Sequence, residues 1–264
     1  MFRSPLGSRM PLAVAIAIVA ALCGAFVEPV SAAPMTSWRG VGSAPLSDAA
    51  AAARVRPAPE RRGENAAENR YRPSRGELDA FRYGHSDRYG RNAVEYNPLT
   101  TRVTGGFSGT TDEILQWAAH KWGIPEDVVR AAAVTESWWR MSQLGDRAWV
   151  ADPGRFPFSS REGTRDVFRS LGIMQIKWSP GGDFHPGTEP LRWKSTAFNA
   201  DYWASVVRYY YDGRCDWCGR GYGPGQEWAS IGAWYNPYPW RTSGHYVDTV
   251  RRHADHRTWT SRDF

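Results

Sequence analysis

The chain has 264 residues, which is enough for one sizeable domain and some additional segments. Its formal net charge of +6 is compatible with binding to nucleic acid, to anionic membranes or to an anionic cell-wall polymer, so charge alone excludes none of these classes. The 14 Trp and 12 Tyr residues supply flat rings that stack well on sugars, although most large aromatic side chains belong to a protein core.

The beginning of the chain has the features of a secretory signal. Arg3 and Arg9 supply positive charge, residues 11–26 are mostly apolar, and Val30–Ala32 offers small side chains to a signal peptidase. The apolar run is too short for a comfortable membrane span. The sequence therefore predicts a signal peptide over residues 1–33 and a secreted protein with no stable membrane insertion after cleavage.

The next segment, residues 34–107, has the composition of a linker. Apolar side chains are sparse, Pro57 and Pro59 interrupt any helix, and Arg and Glu alternate towards residue 75. Such a segment buries too little apolar surface to fold by itself. We predict a disordered Ala-, Pro- and Arg-rich linker, with a short helix over residues 77–81.

A helical domain is predicted over residues 108–264. Thr111-Asp112-Glu113 is a capping signal for a helix that runs through Trp122 and stops at Gly123. Further helices are predicted over residues 125–137, 196–211, 226–234 and 244–253, with a long irregular region between residues 142 and 169. No strand alternation and no repeat with a period of about 20 to 50 residues is visible. The predicted fold class is mainly α.

Glu136 stands out near the end of the second helix. The run from Val128 to Val134 is apolar on nearly all sides, which predicts a buried helix. Burial and the negative end of the helix dipole would both raise the pKa of a carboxyl group placed there. A carboxylic acid that stays protonated near neutrality is suited to general acid catalysis. The alternative is a Glu at a frayed helix end, facing water or capped by Ser137.

Cys215 and Cys218 remain after the signal peptide is removed. In an exported protein they are predicted to form a small-loop disulfide. A zinc site would need two further ligands, and His245, His253 and His256 are expected to be solvated on a polar helix. No metal or cofactor is predicted.

Three short sequence motifs follow one another along the chain. They are Glu136-Ser137, Gly172-Ile173-Met174-Gln175-Ile176 and Ala233-Trp234-Tyr235-Asn236. Together they resemble the motifs of the soluble lytic transglycosylases, a lysozyme-like family that cleaves the glycan strands of peptidoglycan. The resemblance covers about residues 108–256 and implies a lysozyme-like helical domain with long loops.

The resemblance implies a reaction in which Glu136 is the catalytic acid. It would protonate the oxygen between N-acetylmuramic acid and N-acetylglucosamine, and the 6-hydroxyl of the muramic acid would close on C1. The same resemblance implies a monomeric, cell-wall-associated bacterial enzyme that acts on peptidoglycan strands and binds no nucleic acid. Six substrate-binding or supporting positions are implied: Ser137, Gly172, Met174, Gln175, Tyr235 and Asn236.

Individual roles within this set differ. Gly172 would let backbone approach the sugar closely, and Gln175 would line the cleft. Tyr235 resembles the family tyrosine whose hydroxyl lies beside the catalytic Glu. The structural alternatives are Ser137 as a helix cap, Met174 as core and Tyr235 as a packing residue at a helix end.

The sequence also departs from the family pattern. About 35 residues separate Ser137 from Gly172, where the family has a couple of helical turns, and Trp234 and Pro237-Tyr238 replace small residues. A lysozyme- or chitosanase-like hydrolase is one alternative, and a non-catalytic glycan-binding module is another. A hydrolase would need a base for water, and the insertion offers four candidates: Asp146, Asp152, Glu162 and Asp166.

Overall fold

The computed structural model of the chain describes residues 33–88, 99–159, 165–178, 185–236 and 244–264. The signal peptide predicted for residues 1–33 lies outside this part, apart from its last residue. Within the described residues, none of the helices is long and apolar enough to cross a membrane.

The described part of the chain is mostly helical, as predicted. The arm contains α1 (Asp48–Ala52), α2 (Ala66–Arg70) and α3 (Arg75–Arg88). The domain contains α4 (Thr111–Trp122), α5 (Glu126–Ser137), α6 (Leu191–Lys194), α7 (Thr196–Tyr211), α8 (Glu227–Tyr235) and α9 (His245–His256). Short 3₁₀ turns lie at Gly63–Asn65, Thr100–Arg102, Pro153–Arg155 and Thr258–Thr260.

Helix α4 ends at Gly123 as predicted, and its N-cap is Thr110, one residue before the predicted Thr111-Asp112-Glu113 signal. Thr110 accepts a hydrogen bond from the Glu113 N–H, and the Glu113 carboxylate accepts one from the Thr110 N–H. This reciprocal capping box satisfies two N–H groups that the helix leaves free. Gly123 ends the helix in the left-handed conformation at a φ of 70°. Pro125 immediately precedes α5, one residue outside the position predicted for it.

Helix α7 forms the centre of the core. Every residue from Thr196 to Tyr211 is buried, and the helix packs against α4 and α8. Helix α5 packs against α4 on one side and α9 on the other. The end of α5 thereby comes to lie against α8 and α9, which follow it by about 100 residues in the sequence.

A small antiparallel sheet follows α5, where the sequence shows no strand pattern. Strands β1 (Leu144–Trp149) and β2 (Asp166–Leu171) pair with Leu144 opposite Leu171, and β3 (Ile176–Lys177) pairs with the end of β2. Strand β1 has no continuous buried face, because most of its side chains are partly or fully exposed. A strand of this kind lacks the alternation that marks a half-buried sheet.

The disordered linker predicted for residues 34–107 needs correction. The described residues of this segment pack on the helical domain and belong to the same compact unit as it does. Phe81 and Val103 are fully buried, and Arg56 binds the Glu126 carboxylate through both terminal nitrogens. Helix α3 is also longer than the short helix predicted. Composition misled here because polar side chains supply much of the attachment, and an apolar count does not register them.

Candidate active site

Glu136 lies in the last turn of α5, one residue before the helix ends. Trp138 follows the helix in the left-handed conformation at a φ of 54°, and Trp139 continues it at 62°. The N–H groups of these two residues donate to the Val134 and Ala133 carbonyls and so complete the helix end. The Glu136 side chain is half-buried. The chain therefore turns away sharply and leaves the carboxyl group at the helix end.

Two aromatic side chains hold the Glu136 carboxyl group. The Tyr246 hydroxyl donates to Oε1 at 2.6 Å, and Trp234 forms a second side-chain hydrogen bond. Tyr246 lies on α9 and Trp234 on α8. Burial raises the pKa of Tyr246 well above its ordinary value, so its hydroxyl stays protonated and acts as a donor to Glu136.

The pKa of Glu136 is about 8. Burial raises it from the ordinary value of 4.5, the hydrogen bonds from Tyr246 and Trp234 oppose this rise, and the negative charge of Asp146 adds to it. Glu136 therefore carries a proton at neutral pH. A proton donor whose pKa lies close to neutral pH is suited to general acid catalysis.

Asp146 is a second carboxylate that acts on Glu136. It lies in β1 at a φ of 48°, accepts a hydrogen bond from the Ser170 hydroxyl and pairs with Lys177 Nζ at 3.2 Å. Burial alone would raise the pKa of Asp146, but Ser170 and Lys177 outweigh it and hold that pKa below its ordinary value. The site thus combines a protonated carboxyl group with an ionised one, as acid and base pairs in enzymes do.

The other candidate bases lie elsewhere or outside the described residues. Asp152 is exposed, and Asp166 pairs with Arg147 on the neighbouring strand. Glu162 lies outside the described residues. Of the candidates that the structure describes, Asp146 is the one whose charge influences the pKa of Glu136.

Ser137 ties the acid-bearing helix to the turn after β2. Its hydroxyl is buried and lies 3.2 Å from the Ala133 carbonyl oxygen and 2.8 Å from the Ile173 carbonyl oxygen. Both partners are backbone carbonyls, so Ser137 serves the packing of α5 in this structure. The hydrogen bonds to the Glu136 carboxyl group come from Tyr246 and Trp234.

Gly172 packs against Asn199 of α7. Its φ is 83°, and a Cβ atom added to it would lie 2.2 Å from Asn199 Nδ2 and 2.5 Å from the Arg192 carbonyl oxygen. Glycine is therefore required here by the backbone conformation and by the close packing of this turn.

We expect Gly172→Ala to destabilise the protein by about 2–4 kcal/mol, since it combines a strained φ with overpacking. Urea unfolding of the variant measures the loss. Gly154→Ala is the matched control, because the nearest atom to an added Cβ there is 3.5 Å away and its φ lies outside the left-handed region. Equal stability of the two variants would contradict the tight packing at Gly172.

Met174 and Gln175 complete the same turn. Met174 is fully buried and its N–H donates to Asn199 Oδ1 at 2.8 Å, so its structural reading holds. Gln175 is partly exposed, and its Nε2 donates to the carbonyls of Gln143 and Gly172 at 3.0 and 2.9 Å. Gln175 thus links the start of the sheet to the turn that packs on α5.

Tyr246 occupies the place that the resemblance assigns to Tyr235. The Tyr235 side chain is 74% exposed, and its ring stacks on that of Tyr246 with centroids 5.2 Å apart. Asn236 is also exposed and ends α8, where its N–H donates to the Gly232 carbonyl. Pro237 and Tyr238 lie outside the described residues. Sequence reasoning missed Tyr246 because no local pattern distinguishes it on its helix.

Sequence reasoning also missed the contact of Trp234 with Glu136, because in the sequence Trp234 is only a bulky departure from the family motif. The structure places it against the acid, and its ring stacks on His185 with centroids 4.8 Å apart. His185 Nδ1 lies 2.9 Å from the Tyr202 hydroxyl, and burial lowers the pKa of His185 to about 3. A neutral His185 therefore supports Trp234 at all physiological pH values.

The predicted disulfide between Cys215 and Cys218 is present, with the Cα atoms 5.6 Å apart. On the last helix, His253 Nδ1 lies 2.9 Å from the hydroxyl oxygen of Thr258, which begins the 3₁₀ turn after that helix. In the described ranges of the chain, no group of three or more His, Cys, Asp or Glu side chains is arranged to hold a metal ion.

Comparisons with known proteins add no further identification. A scan against protein-family models gave no match, and neither the curated proteins nor the solved structures gave one.

Proposed function

We propose that the protein is an exported lytic transglycosylase that cleaves peptidoglycan strands between N-acetylmuramic acid and N-acetylglucosamine. The observation that carries the proposal is Glu136, a half-buried carboxyl group with a pKa of about 8 in the last turn of α5. A glycan-binding module needs aromatic faces but no protonated acid. The order of the three sequence motifs and the mostly helical structure support a lysozyme-like domain.

The proposed reaction uses one carboxyl group twice. Oε1 of Glu136 accepts the Tyr246 hydroxyl, so the acidic proton belongs on Oε2. Oε2 gives this proton to the bridging oxygen as the bond between that oxygen and C1 breaks. The 6-hydroxyl of the muramic acid then bonds to C1, and its proton returns to the carboxylate. The products are a 1,6-anhydro end and a new N-acetylglucosamine hydroxyl.

Tyr246 and Trp234 stabilise the carboxylate that Glu136 becomes after it has given up its proton. Both form hydrogen bonds to Glu136 that favour its ionised form. These bonds strengthen when the carboxyl group gives up its proton, because charge-assisted hydrogen bonds are stronger than neutral ones. The pair therefore makes proton donation easier without ionising the acid at rest. The proposed steps use no metal or cofactor.

Asp146 favours a second candidate function, a lysozyme-like hydrolase. An ionised carboxylate near a protonated one is the arrangement with which an inverting glycosidase activates water. Lys177 and Ser170 bind the Asp146 carboxylate and reduce its basicity. This occupied hydrogen-bonding environment makes Asp146 the weaker base and favours the transglycosylase.

Mass spectrometry of the fragments released from purified peptidoglycan tests the proposal. A transglycosylase yields 1,6-anhydro ends, whereas a hydrolase yields reducing ends that are heavier by one water. Reducing ends would replace the proposal with the hydrolase. Binding to peptidoglycan without release would instead indicate a glycan-binding module.

Asp146→Asn distinguishes the two enzymes through the same products. We expect the variant to keep forming anhydro ends. Its activity should begin to fall at a lower pH than that of the wild type as the pH is raised, because removing the negative charge lowers the pKa of Glu136. Asp152→Asn, an exposed change in the same insertion, should leave the pH profile unchanged. A loss of about 10²-fold or more at every pH in Asp146→Asn alone would indicate a base and support the hydrolase.

A further inference from the structure

The turn that follows the acid has an unusual backbone. Residues 138–141 connect α5 to the approach of β1, and so join Glu136 to Asp146 along the chain. Trp138 and Trp139 both have left-handed φ values, 54° and 62°. Two consecutive bulky residues in this region cost free energy and persist where surrounding contacts fix them.

The fixing contacts come from the N-terminal arm. Asn65 Nδ2 donates to the Trp139 carbonyl at 2.6 Å, and its Oδ1 accepts from the Met141 N–H at 2.9 Å. Arg62 Nε donates to the Trp138 carbonyl at 2.7 Å, and its guanidinium lies over the Phe264 ring. Three backbone groups of the turn are therefore held by two side chains that precede α2.

Asn65 is the central member of this attachment. It is 1% exposed, and its amide nitrogen also donates to the Thr111 hydroxyl at 3.1 Å at the start of α4. It thus links the turn to a rigid helix of the domain. At the end of the turn, the Met141 sulfur lies 3.3 Å from the Ile173 nitrogen, and the Ile173 carbonyl accepts from Ser137. Together these contacts connect Asn65, the turn, Ile173 and Ser137 at the end of α5.

We propose that Asn65 is a positioning residue for the active site, which makes the N-terminal arm a working part of the enzyme. Asn65 fixes the turn that sets Glu136 and Asp146 relative to each other. The inference rests on the proposed function for its effect on catalysis, and on geometry alone for its effect on Glu136. Its physical basis is that a buried amide makes three hydrogen bonds to this one turn and its neighbouring helix.

Removing the Asn65 amide leaves two buried backbone groups without partners. The Trp139 carbonyl and the Met141 N–H would then have to reach water, and the left-handed turn can relax as they do. The last turn of α5 would loosen with it, and the Glu136 carboxyl group would become better solvated. A misplacement of about 1 Å in a reacting group costs about 10²-fold in rate.

Asn69 provides a matched control for Asn65→Ala. It lies four residues on in the same arm, is 2% exposed, and its Nδ2 donates to Thr111 Oγ1 and Glu60 Oε2. Asn69 makes none of the three contacts with the turn. Asn69→Ala therefore weakens the attachment of the arm by a comparable amount without releasing the turn.

The experiment compares the mature wild type, Asn65→Ala and Asn69→Ala by two readouts. The first is kcat on purified peptidoglycan well below the unfolding temperature. The second is the pKa of Glu136, followed by carbon NMR of the carboxyl group and assigned with Glu136→Gln. The charged and titratable groups that act on Glu136 are Tyr246 from α9 and Asp146 from β1, and both remain in all three proteins. Asn65→Ser, which leaves a smaller void, replaces Asn65→Ala if that variant does not fold.

We expect Asn65→Ala to lower kcat by about 10-fold to 10²-fold and the pKa of Glu136 by about one unit or more. Asn69→Ala should stay within about twofold of the wild-type kcat with an unshifted pKa. Equal behaviour of the two variants would overturn the positioning role. A wild type that releases no fragments would overturn the proposed function, while the NMR titration would still decide the role of Asn65.

Discussion

Replacing Glu136 with Gln is expected to reduce peptidoglycan cleavage by about 10²-fold or more. Gln has the same size and keeps an oxygen that can accept the Tyr246 hydroxyl at the present Oε1 position. Its amide cannot deliver a proton to the bridging oxygen of the glycan. The change therefore removes the acid and preserves the packing around it. Fragment release is measured by mass spectrometry, with binding to insoluble peptidoglycan measured in parallel.

Glu227→Gln is the control for this substitution. Glu227 is an exposed residue on the first turn of α8, the helix that carries Trp234. Glu227→Gln therefore makes the same chemical change at an exposed site. We expect Glu227→Gln to cleave at the wild-type rate and Glu136→Gln to bind glycan without releasing fragments. Near-native release by Glu136→Gln would refute Glu136 as the acid and with it the proposed mechanism.

The position of the acid could be predicted because its signal is local. An apolar helix with one carboxylic residue in its final turn is visible in about a dozen residues, and burial follows from their composition. The partners of the acid could not be predicted in the same way. Tyr246 is 110 residues away, and its contact with Glu136 depends on how α9 packs against α5.

The N-terminal arm shows where composition fails. Its few apolar residues predict disorder, yet Arg56, Arg62 and Asn65 attach it to the domain by hydrogen bonds to specific charged or backbone groups. Such contacts do not recur with a fixed period in the sequence, so no sequence pattern predicts them. The same limit applies to Gly172 and Ser137, which the resemblance singles out but whose contacts with Asn199 and Ile173 depend on the fold.

The acid that the reaction needs should make the folded protein less stable at alkaline pH. An unfolded Glu ionises near its ordinary pKa of 4.5, whereas Glu136 in the folded chain ionises near 8. Folding therefore retains a proton that the unfolded chain loses. The stability associated with Glu136 is fully present below about pH 4.5, declines between the two pKa values, and is lowest above about pH 8.

Glu136→Gln removes this titration, so its stability relative to the wild type should rise with pH. We expect the difference in free energy of unfolding to change by a few kcal/mol in favour of the variant between about pH 4 and about pH 9. Urea unfolding of both proteins at these two pH values measures the change, and Glu227→Gln serves again as the control.

A stability difference that is the same at both pH values would mean that Glu136 titrates normally in the folded protein. It would then be ionised at neutral pH and unable to act as the acid. The same pKa sets the alkaline limit of activity, because a deprotonated Glu136 has no proton to give. Cleavage by the wild type should accordingly decline above about pH 8, in the range where the substitution stabilises the fold most. The high pKa that the proposed reaction requires would thus also be the source of the alkaline loss of stability.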